Sequence, residues 1–258
     1  CDTFGRPPCG GIFGVEGCQY RSQPGLKRGG MNMLEVHRVS KTFRRGKKNT
    51  DAVKEADLKL IPGRLTAVVG PSGSGKSTLL NMMAGLLTPT SGRVTINGED
   101  IYWLPDTRLS ELRNRKIGVV LQGHTALPNL TVLQNILLPL GLFPEEKDLK
   151  DWPERLLELV GIPHLASARP KALSGGELRR MAIARAMVQK PEVILADEPT
   201  NDLDRANTDA VISLLREAAD KGAAVLLVTH ELGLLNRGDA VWLMEDGILK
   251  AGENVFYE

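Results

Sequence analysis

Apolar and polar residues alternate over Leu34-Glu35-Val36-His37-Arg38-Val39, which predicts a strand with one buried face. The basic, glycine-containing stretch Ser40 to Asn49 reads as a loop. Alternation returns from Ala52 to Leu60, and Pro62-Gly63 predicts the turn that ends it. These two strands are expected to pair antiparallel beside the next one, the apolar run Leu65 to Val69. Val94-Thr95-Ile96 before Asn97-Gly98 predicts a further strand and a tight turn. Asp106 to Arg115 is polar with Leu109 and Leu112 at helical spacing, and Ile117 to Leu121 is strand-like and ends in Gln122.

Residues 123–178 differ in character. Pro128, Pro139, Pro144, Pro153, Pro163 and Pro170 divide them into short segments, among which Trp152 to Val160 reads as an amphipathic helix stopped by Gly161 and Pro163. A mostly helical insertion is expected here, between two parts of an α/β core. The core pattern resumes with a helix over Gly176 to Gln189, a buried strand over Val193 to Ala196, a helix over Arg205 to Lys221 and a buried strand over Val225 to Val228. Val241 to Met244 and Ile248 to Lys250 flank Asp246-Gly247, a hairpin signal. Strands alternating with helices predict a mainly parallel sheet that binds ligands at the carboxyl ends of its strands.

One such end carries specific chemistry. Gly70-Pro71-Ser72-Gly73-Ser74-Gly75-Lys76-Ser77-Thr78 fits G-x-x-x-x-G-K-[ST] between a strand and the helix formers Leu79 to Leu86. A glycine-rich turn with a chance lysine would not need those flanks. Gly70, Gly73 and Gly75 let the backbone turn back and bring its N–H groups close to an anion, and the new helix aims its positive end at the same point; Ser72 and Thr78 lie within the same loop motif. Lys76 would reach the β- and γ-phosphates, and the Ser77 hydroxyl would hold Mg²⁺.

Asp197 and Glu198 end a wholly apolar strand. An aspartate so placed in a phosphate-loop protein holds Mg²⁺, and the neighbouring glutamate can accept a proton from a water attacking the γ-phosphate. The bland alternative is two acids facing solvent. His230 follows the Val225 to Val228 strand and is either a structural hydrogen-bonder or a site residue; Gln122 alone would mean little. Leu173-Ser174-Gly175-Gly176-Glu177 has the form of a capping box, with Ser174 before the helix and Glu177 three residues on. Its double glycine also exposes N–H groups to an anion. One γ-phosphate does not need two helix N-termini of one molecule, whereas two chains packed head to tail would use both.

Length and composition bound the picture. The chain has 258 residues and a net charge of +2, so electrostatics gives no case for nucleic acid. No apolar stretch approaches the ~20 residues of a membrane-spanning helix. The three cysteines, Cys1, Cys9 and Cys18, exclude a disulfide framework for the remainder and suit a reducing compartment. Residues 1–33, of which 1–30 are rich in Gly, Pro and Arg and lack periodicity, read as an extension, either poorly ordered or a start-site or expression artefact. Residues 34–258 read as one domain, with the helical part at about 123–178.

Taken together, these motifs resemble the ATP-binding subunit of ABC transporters over roughly residues 34–250. Gly70 to Thr78 is similar to the Walker A loop, Gln122 to the Q-loop, Leu173 to Glu177 to the signature sequence, and Val193 to Pro199 to Walker B. Leu203-Asp204 matches the D-loop and His230 the switch histidine. The resemblance implies an α/β P-loop NTPase of ABC type, a mixed sheet core with an antiparallel β subdomain and an inserted helical subdomain. It implies a homodimer sandwiching two ATP, each between Walker A of one chain and Ser174 and Gly176 of the other, with Asp204 at the seam. It further implies that Gln122 senses Mg²⁺ and the attacking water, that Glu198 polarises that water, that His230 contacts the γ-phosphate and that Phe43 stacks on adenine. Two departures stand out: Asn201-Asp202 precedes Leu203-Asp204, and Gly123-His124 follows Gln122 where an aromatic is common.

Gly98 to Ile101, Leu112 to Arg115, Ile117 to Gln122, Leu127 to Val132 and Asn135-Ile136 look like the lipoprotein-release and macrolide-export group. The expected function is therefore an ATPase that powers a separate integral-membrane permease from the cytoplasmic face of the inner cell membrane, for export or for extraction of lipophilic cargo. The alternative is a cell-division type switch acting through a membrane partner. An ATPase acting on DNA or ribosomes would carry a long coiled coil or a second set of motifs.

Overall fold

The apolar-throughout strands and the alternating strands go into different sheets in the computed structural model, which describes residues 33–46, 48–123, 125–143, 151–201, 203–231 and 238–252. The expected extension, except residue 33, and the departures at His124 and Asp202 lie outside the described residues. In chain order, β1 (Leu34–Arg45) and β2 (Lys48–Leu60) precede β3 (Leu65–Val69) and α1 (Lys76–Met83). β4 (Ser91–Ile96) and β5 (Glu99–Asp100) follow, then α2 (Asp106–Lys116) and β6 (Ile117–Val120). The helical stretch holds α3 (Val132–Leu142), α4 (Trp152–Leu159) and α5 (Gly175–Met187). β7 (Val193–Asp197), α6 (Arg205–Asp220), β8 (Ala224–Thr229), β9 (Ala240–Glu245) and β10 (Ile248–Ala251) complete the order.

Two expectations about the first strands are corrected. Ser40 to Asn49 is not a loop, because β1 runs on to Arg45, Gly46 enters a turn and β2 begins at Lys48. Register shifts after Val36, Val39 and Lys41 displace the side-chain alternation, so the period of two that marks a strand is lost there. Thr42 and Phe43 favour extended backbone, and the basic residues around them are tolerated on a solvated ribbon. Nor do β1 and β2 lie beside the phosphate-loop strand. They belong to an antiparallel sheet of order β2-β1-β4-β5, whereas β3 sits between β9 and β8 in a sheet of order β10-β9-β3-β8-β7-β6. The reason is their pattern: an alternating strand has a polar face to hydrate, while an apolar-throughout strand needs cover on both faces.

That cover is visible residue by residue. Val193 and Leu195 of β7, with Leu226 and Val228 of β8, pack with α1 and the antiparallel sheet against Leu34, Leu58, Leu79 and Met82. Ile194, Ala196, Val225 and Leu227, the alternate positions, pack against Ile136, Ile183, Val211 and Leu215 of α3, α5 and α6. β9, β3, β8, β7 and β6 run parallel, and only β10 is antiparallel, through the expected Asp246-Gly247 turn. All their ends after β3, β7 and β8 therefore point to one edge.

A third correction concerns Pro139, which does not end a segment but lies inside α3. An internal proline costs about 3 kcal/mol. Opposing this, α3 has a capping box from Thr131 and Gln134, buries Val132 and Ile136 completely, and offers the Pro139 carbonyl to Asn114 Nδ2 at 3.1 Å and Gln189 Nε2 at 3.0 Å.

Candidate nucleotide site

The loop between β3 and α1 is shaped by what lies behind it. At Gly70 a Cβ would overlap the Met244 carbonyl oxygen, and at Gly75 it would overlap the carbonyl oxygen of Ala52. Gly247 in the β9–β10 turn donates its N–H to the Ser74 carbonyl at 3.0 Å and accepts from Lys54 N–H at 2.7 Å. A carbonyl pulled backwards turns the N–H of the same peptide, that of Gly75, forwards. Gly75 has φ 107° and precedes α1 with no side-chain cap, so the first N–H groups of the helix are left for an anion. Lys76 is buried and donates to the carbonyls of Gly70 at 2.8 Å and Pro71 at 2.9 Å. Burial pushes its ammonium below the usual lysine range, and Glu198 and Asp197 oppose that.

The Gly75→Ala variant tests this cradle. The left-handed backbone would add about 1–3 kcal/mol of strain to the overlap with Ala52. Nucleotide binding should be lost in a fluorescent-ATP titration, with a lower thermal unfolding midpoint; unchanged values of both would refute the close approach.

β7 delivers two acids to the same edge. Asp197 is buried and accepts from the Ser77 hydroxyl at 3.0 Å. Burial holds its carboxyl above the usual range, with the Ser77 bond and Lys76 acting the other way and Glu198 adding to it. Glu198 leaves the strand with φ 47°, a left-handed conformation that costs a non-glycine residue about 1–2 kcal/mol. Its N–H is held by the Val228 carbonyl at 2.8 Å, and its Oε2 accepts from His230 Nδ1 at 2.9 Å. β7 and β8 are adjacent and parallel, which is what brings Glu198 and His230 together across 32 residues of sequence.

A cavity of about 170 Å³ at this edge is lined by Ser72, Gly73, Gly75, Lys76, Ser77, Thr78, Gln122 and Glu198, with Ala52. The structure thus joins the loop, the strand-end glutamine and the acid. Gly70, Asp197 and His230 border it only through their contacts with Lys76, Ser77 and Glu198, and Phe43, Ser174, Gly176 and Asp204 do not line it. Phe43 is on β1, 42% exposed, with the Lys41 ammonium 5.5 Å from its ring centre. Ser174 caps α5 through the reciprocal bonds expected of the capping box, and its N–H and hydroxyl hold the Glu177 carboxyl below the usual range. Asp204 caps α6, where the N–H and side chain of Asn207 lower its carboxyl likewise. A larger cavity of about 490 Å³ links Gln122 to Gly175, Arg179, Asn201 and Leu203.

Sequence reasoning missed the residues that hold these parts in place. Arg185 of α5 donates to both the carbonyl and the hydroxyl of Thr125, and Arg179 donates to the Leu121 carbonyl at 3.2 Å, so α5 fastens both ends of the Gln122 segment. Burial lowers Arg185 below the usual arginine range. An arginine in the last turn of a helix gives no sign in sequence of the distant loop it will hold.

The residues present fit a nucleotide with a hard divalent cation. The loop offers forward N–H groups and an ammonium, and the Ser77–Asp197 pair offers hard oxygens. Among the described residues no group of three or more His, Cys, Asp or Glu side chains could hold a metal ion by itself.

Known proteins resemble the chain over most of its length. A family model described as "ABC transporter" matches residues 53–201. The chain is 41% identical over 224 residues to the lipoprotein-releasing system ATP-binding protein LolD of Shewanella oneidensis, covering 86% of this chain and 97% of that one. The protein of the same name in Shewanella frigidimarina is 42% identical over 221 residues, covering 84% and 92%. The dimeric structure of MJ0796, described as a bacterial ABC transporter cassette, superposes with a TM-score of 0.78 at 34% identity over 85% of this chain and 98% of that one. A dimeric post-hydrolysis state of MJ0796 bound to ADP and Pi does so with a TM-score of 0.78 at 33% identity over the same shares.

Proposed function

This chain belongs to the ABC transporter family, and from that premise we propose that it drives a separate membrane permease that extracts or exports lipophilic cargo, a reading supported by its similarity to lipoprotein-releasing system ATP-binding proteins. It is an ATPase. The observation that carries the catalytic reading is the meeting of Glu198 with His230 opposite the phosphate loop, beside the Ser77–Asp197 pair.

The residues then divide the work. The forward N–H groups of the loop and Lys76 bind the β- and γ-phosphates, Phe43 stacks on adenine, and Glu198 takes the proton of the attacking water. His230 orients the Glu198 carboxylate and reaches the γ-phosphate. Mg²⁺, held by Ser77, Asp197 and Gln122, would neutralise charge on the phosphates. Ser174 and Asp204 cap α5 and α6, helix starts other than that of α1, and one γ-phosphate does not need several helix starts of one chain, which supports the use of Ser174, Gly176 and Asp204 in a second subunit of a head-to-tail homodimer.

The permease is assigned to the groove of about 510 Å³ between α2, β6, α3 and α5, lined by Leu86, Arg113, Leu121, Pro139 and Leu142. Leu142 is 61% exposed there, and Leu121 directly precedes Gln122. No helix among the described residues is long and apolar enough to cross a membrane. The proposed place of action is the cytoplasmic face of the inner membrane, as a peripheral subunit.

The test is a pull-down from detergent-solubilised native membranes with the Glu198→Gln variant and ATP–Mg²⁺. A permease of few spans with a large outer domain, which then moves lipophilic cargo in vesicles, is expected. The same partner without cargo movement would favour the cell-division type of switch. A many-span permease with a soluble binding protein would indicate import, and ribosomes or DNA would overturn the transport role.

A further inference from the structure

The starts of α5 and α6, both assigned above to the opposite nucleotide, are fastened together by one side chain, Asn207. It lies in the first turn of α6, where Asp204 accepts its backbone N–H at 2.8 Å and its Nδ2 at 2.9 Å. Its remaining polar atom, Oδ1, accepts from Arg180 of α5. Arg180 also contributes to holding the carboxyls of Asp204 and Glu177 low, so its charge is felt at both helix starts. A neutral amide suits this position. It donates to a carboxylate on one side and accepts from a guanidinium on the other, whereas an acid would repel Asp204 and a base would repel Arg180.

Gly176 shows how close the two helices come. A Cβ there would lie 2.8 Å from Asn207 Oδ1 and 2.9 Å from its Cγ. The second glycine of the Ser174-Gly175-Gly176 stretch therefore has a use besides exposing N–H groups: it admits the Asn207 amide against α5. Asn201, Leu203 and the helix start Gly175 border one cavity, so a change in their spacing would alter the surface offered to a second subunit.

We propose that Asn207 is a positioning residue for hydrolysis in the opposite site, holding Ser174–Gly176 and Asp204 at a set separation so that both reach the partner's nucleotide together. This role rests on the head-to-tail dimer proposed above. Asn207 does not line the chain's own phosphate cavity, so its effect should fall on turnover and dimer closure and not on first nucleotide binding.

The experiment uses the full chain with Asn207→Ala, Arg180→Ala and the double variant. Monomer affinity for a fluorescent ATP analogue should stay within about twofold, while kcat falls about tenfold in each single variant. Because both act through one bridge, the double variant should be no slower than the slower single, against about a hundredfold if the sites were independent. In the Glu198→Gln background, Asn207→Ala should raise the ATP-dependent dimer dissociation constant by about tenfold. Thermal unfolding checks that each variant folds. Asn207→Asp, which keeps the shape and the acceptor for Arg180, should lose kcat in the same direction without losing the fold. Unchanged kcat, additive losses, or a loss explained wholly by ATP affinity would overturn the role of Asn207. If Glu198→Gln alone dimerises and Asn207→Ala does not weaken that dimer, only this inference fails. If Glu198→Gln alone does not dimerise, the head-to-tail reading fails and takes this inference with it.

Discussion

Glu198→Gln should still bind ATP but hydrolyse it about 10²–10⁴-fold more slowly, the range expected when a general base is removed. Gln is nearly isosteric with Glu, so its carbonyl oxygen can still accept the bond that His230 Nδ1 makes at 2.9 Å. The left-handed backbone at φ 47° is set by the turn out of β7 and by the Val228 carbonyl, and neither depends on the charge. What the amide cannot do is take a proton. A strained residue fixed by two neighbouring strands is a group aimed at one point, which is where a base must be. ATP would then remain uncleaved, and the head-to-tail dimer should accumulate. Phosphate release measured beside light scattering on a sizing column, with and without ATP–Mg²⁺, reads both effects. Normal phosphate release would remove Glu198 from the mechanism, and slow release without a dimer would count against the sandwich.

Lys76→Ala should weaken ATP binding by about a hundredfold or more, the scale expected when a buried site loses a charge-assisted hydrogen bond to phosphate. The ammonium lies under its own loop, on the Gly70 and Pro71 carbonyls, and its neighbours Asp197 and Glu198 are both acids. Without it, phosphates entering the loop would face those two carboxylates with one cation fewer between them. Burial already disfavours the lysine charge, so folding should lose less than binding does. Calorimetric titration with ATP, beside a thermal unfolding curve, separates the two. Wild-type affinity would overturn the reading of the loop.

The phosphate loop was legible because its chemistry and its backbone are encoded in the same nine letters, glycines for the turn and Lys76-Ser77 for the ligand. The acids were legible because an apolar strand that ends abruptly in Asp197-Glu198 places them at a sheet edge whatever the order of the sheet. The partners of these groups were not. The Arg185 bonds to Thr125 span 60 residues, and Gly247 meets Ser74 through backbone atoms that carry no residue-specific signal. Asn207 read only as part of a helix start, because Arg180 is its neighbour in space and not in sequence.

Local pattern by itself determined most of the core helices and strands, where the chain can hold a phosphate, and which strands need cover on two faces. Each of these depends on side chains within a few residues of one another, or on the hydration of a single strand. Tertiary structure alone decided that β1 and β2 form a sheet apart from β3, that β1 continues through its basic stretch, and that α3 survives Pro139. It alone joined Glu198 to His230 and Arg180 to Asn207. Those outcomes depend on which surfaces meet after collapse, and on the buried donors and acceptors that must then find partners across long stretches of chain.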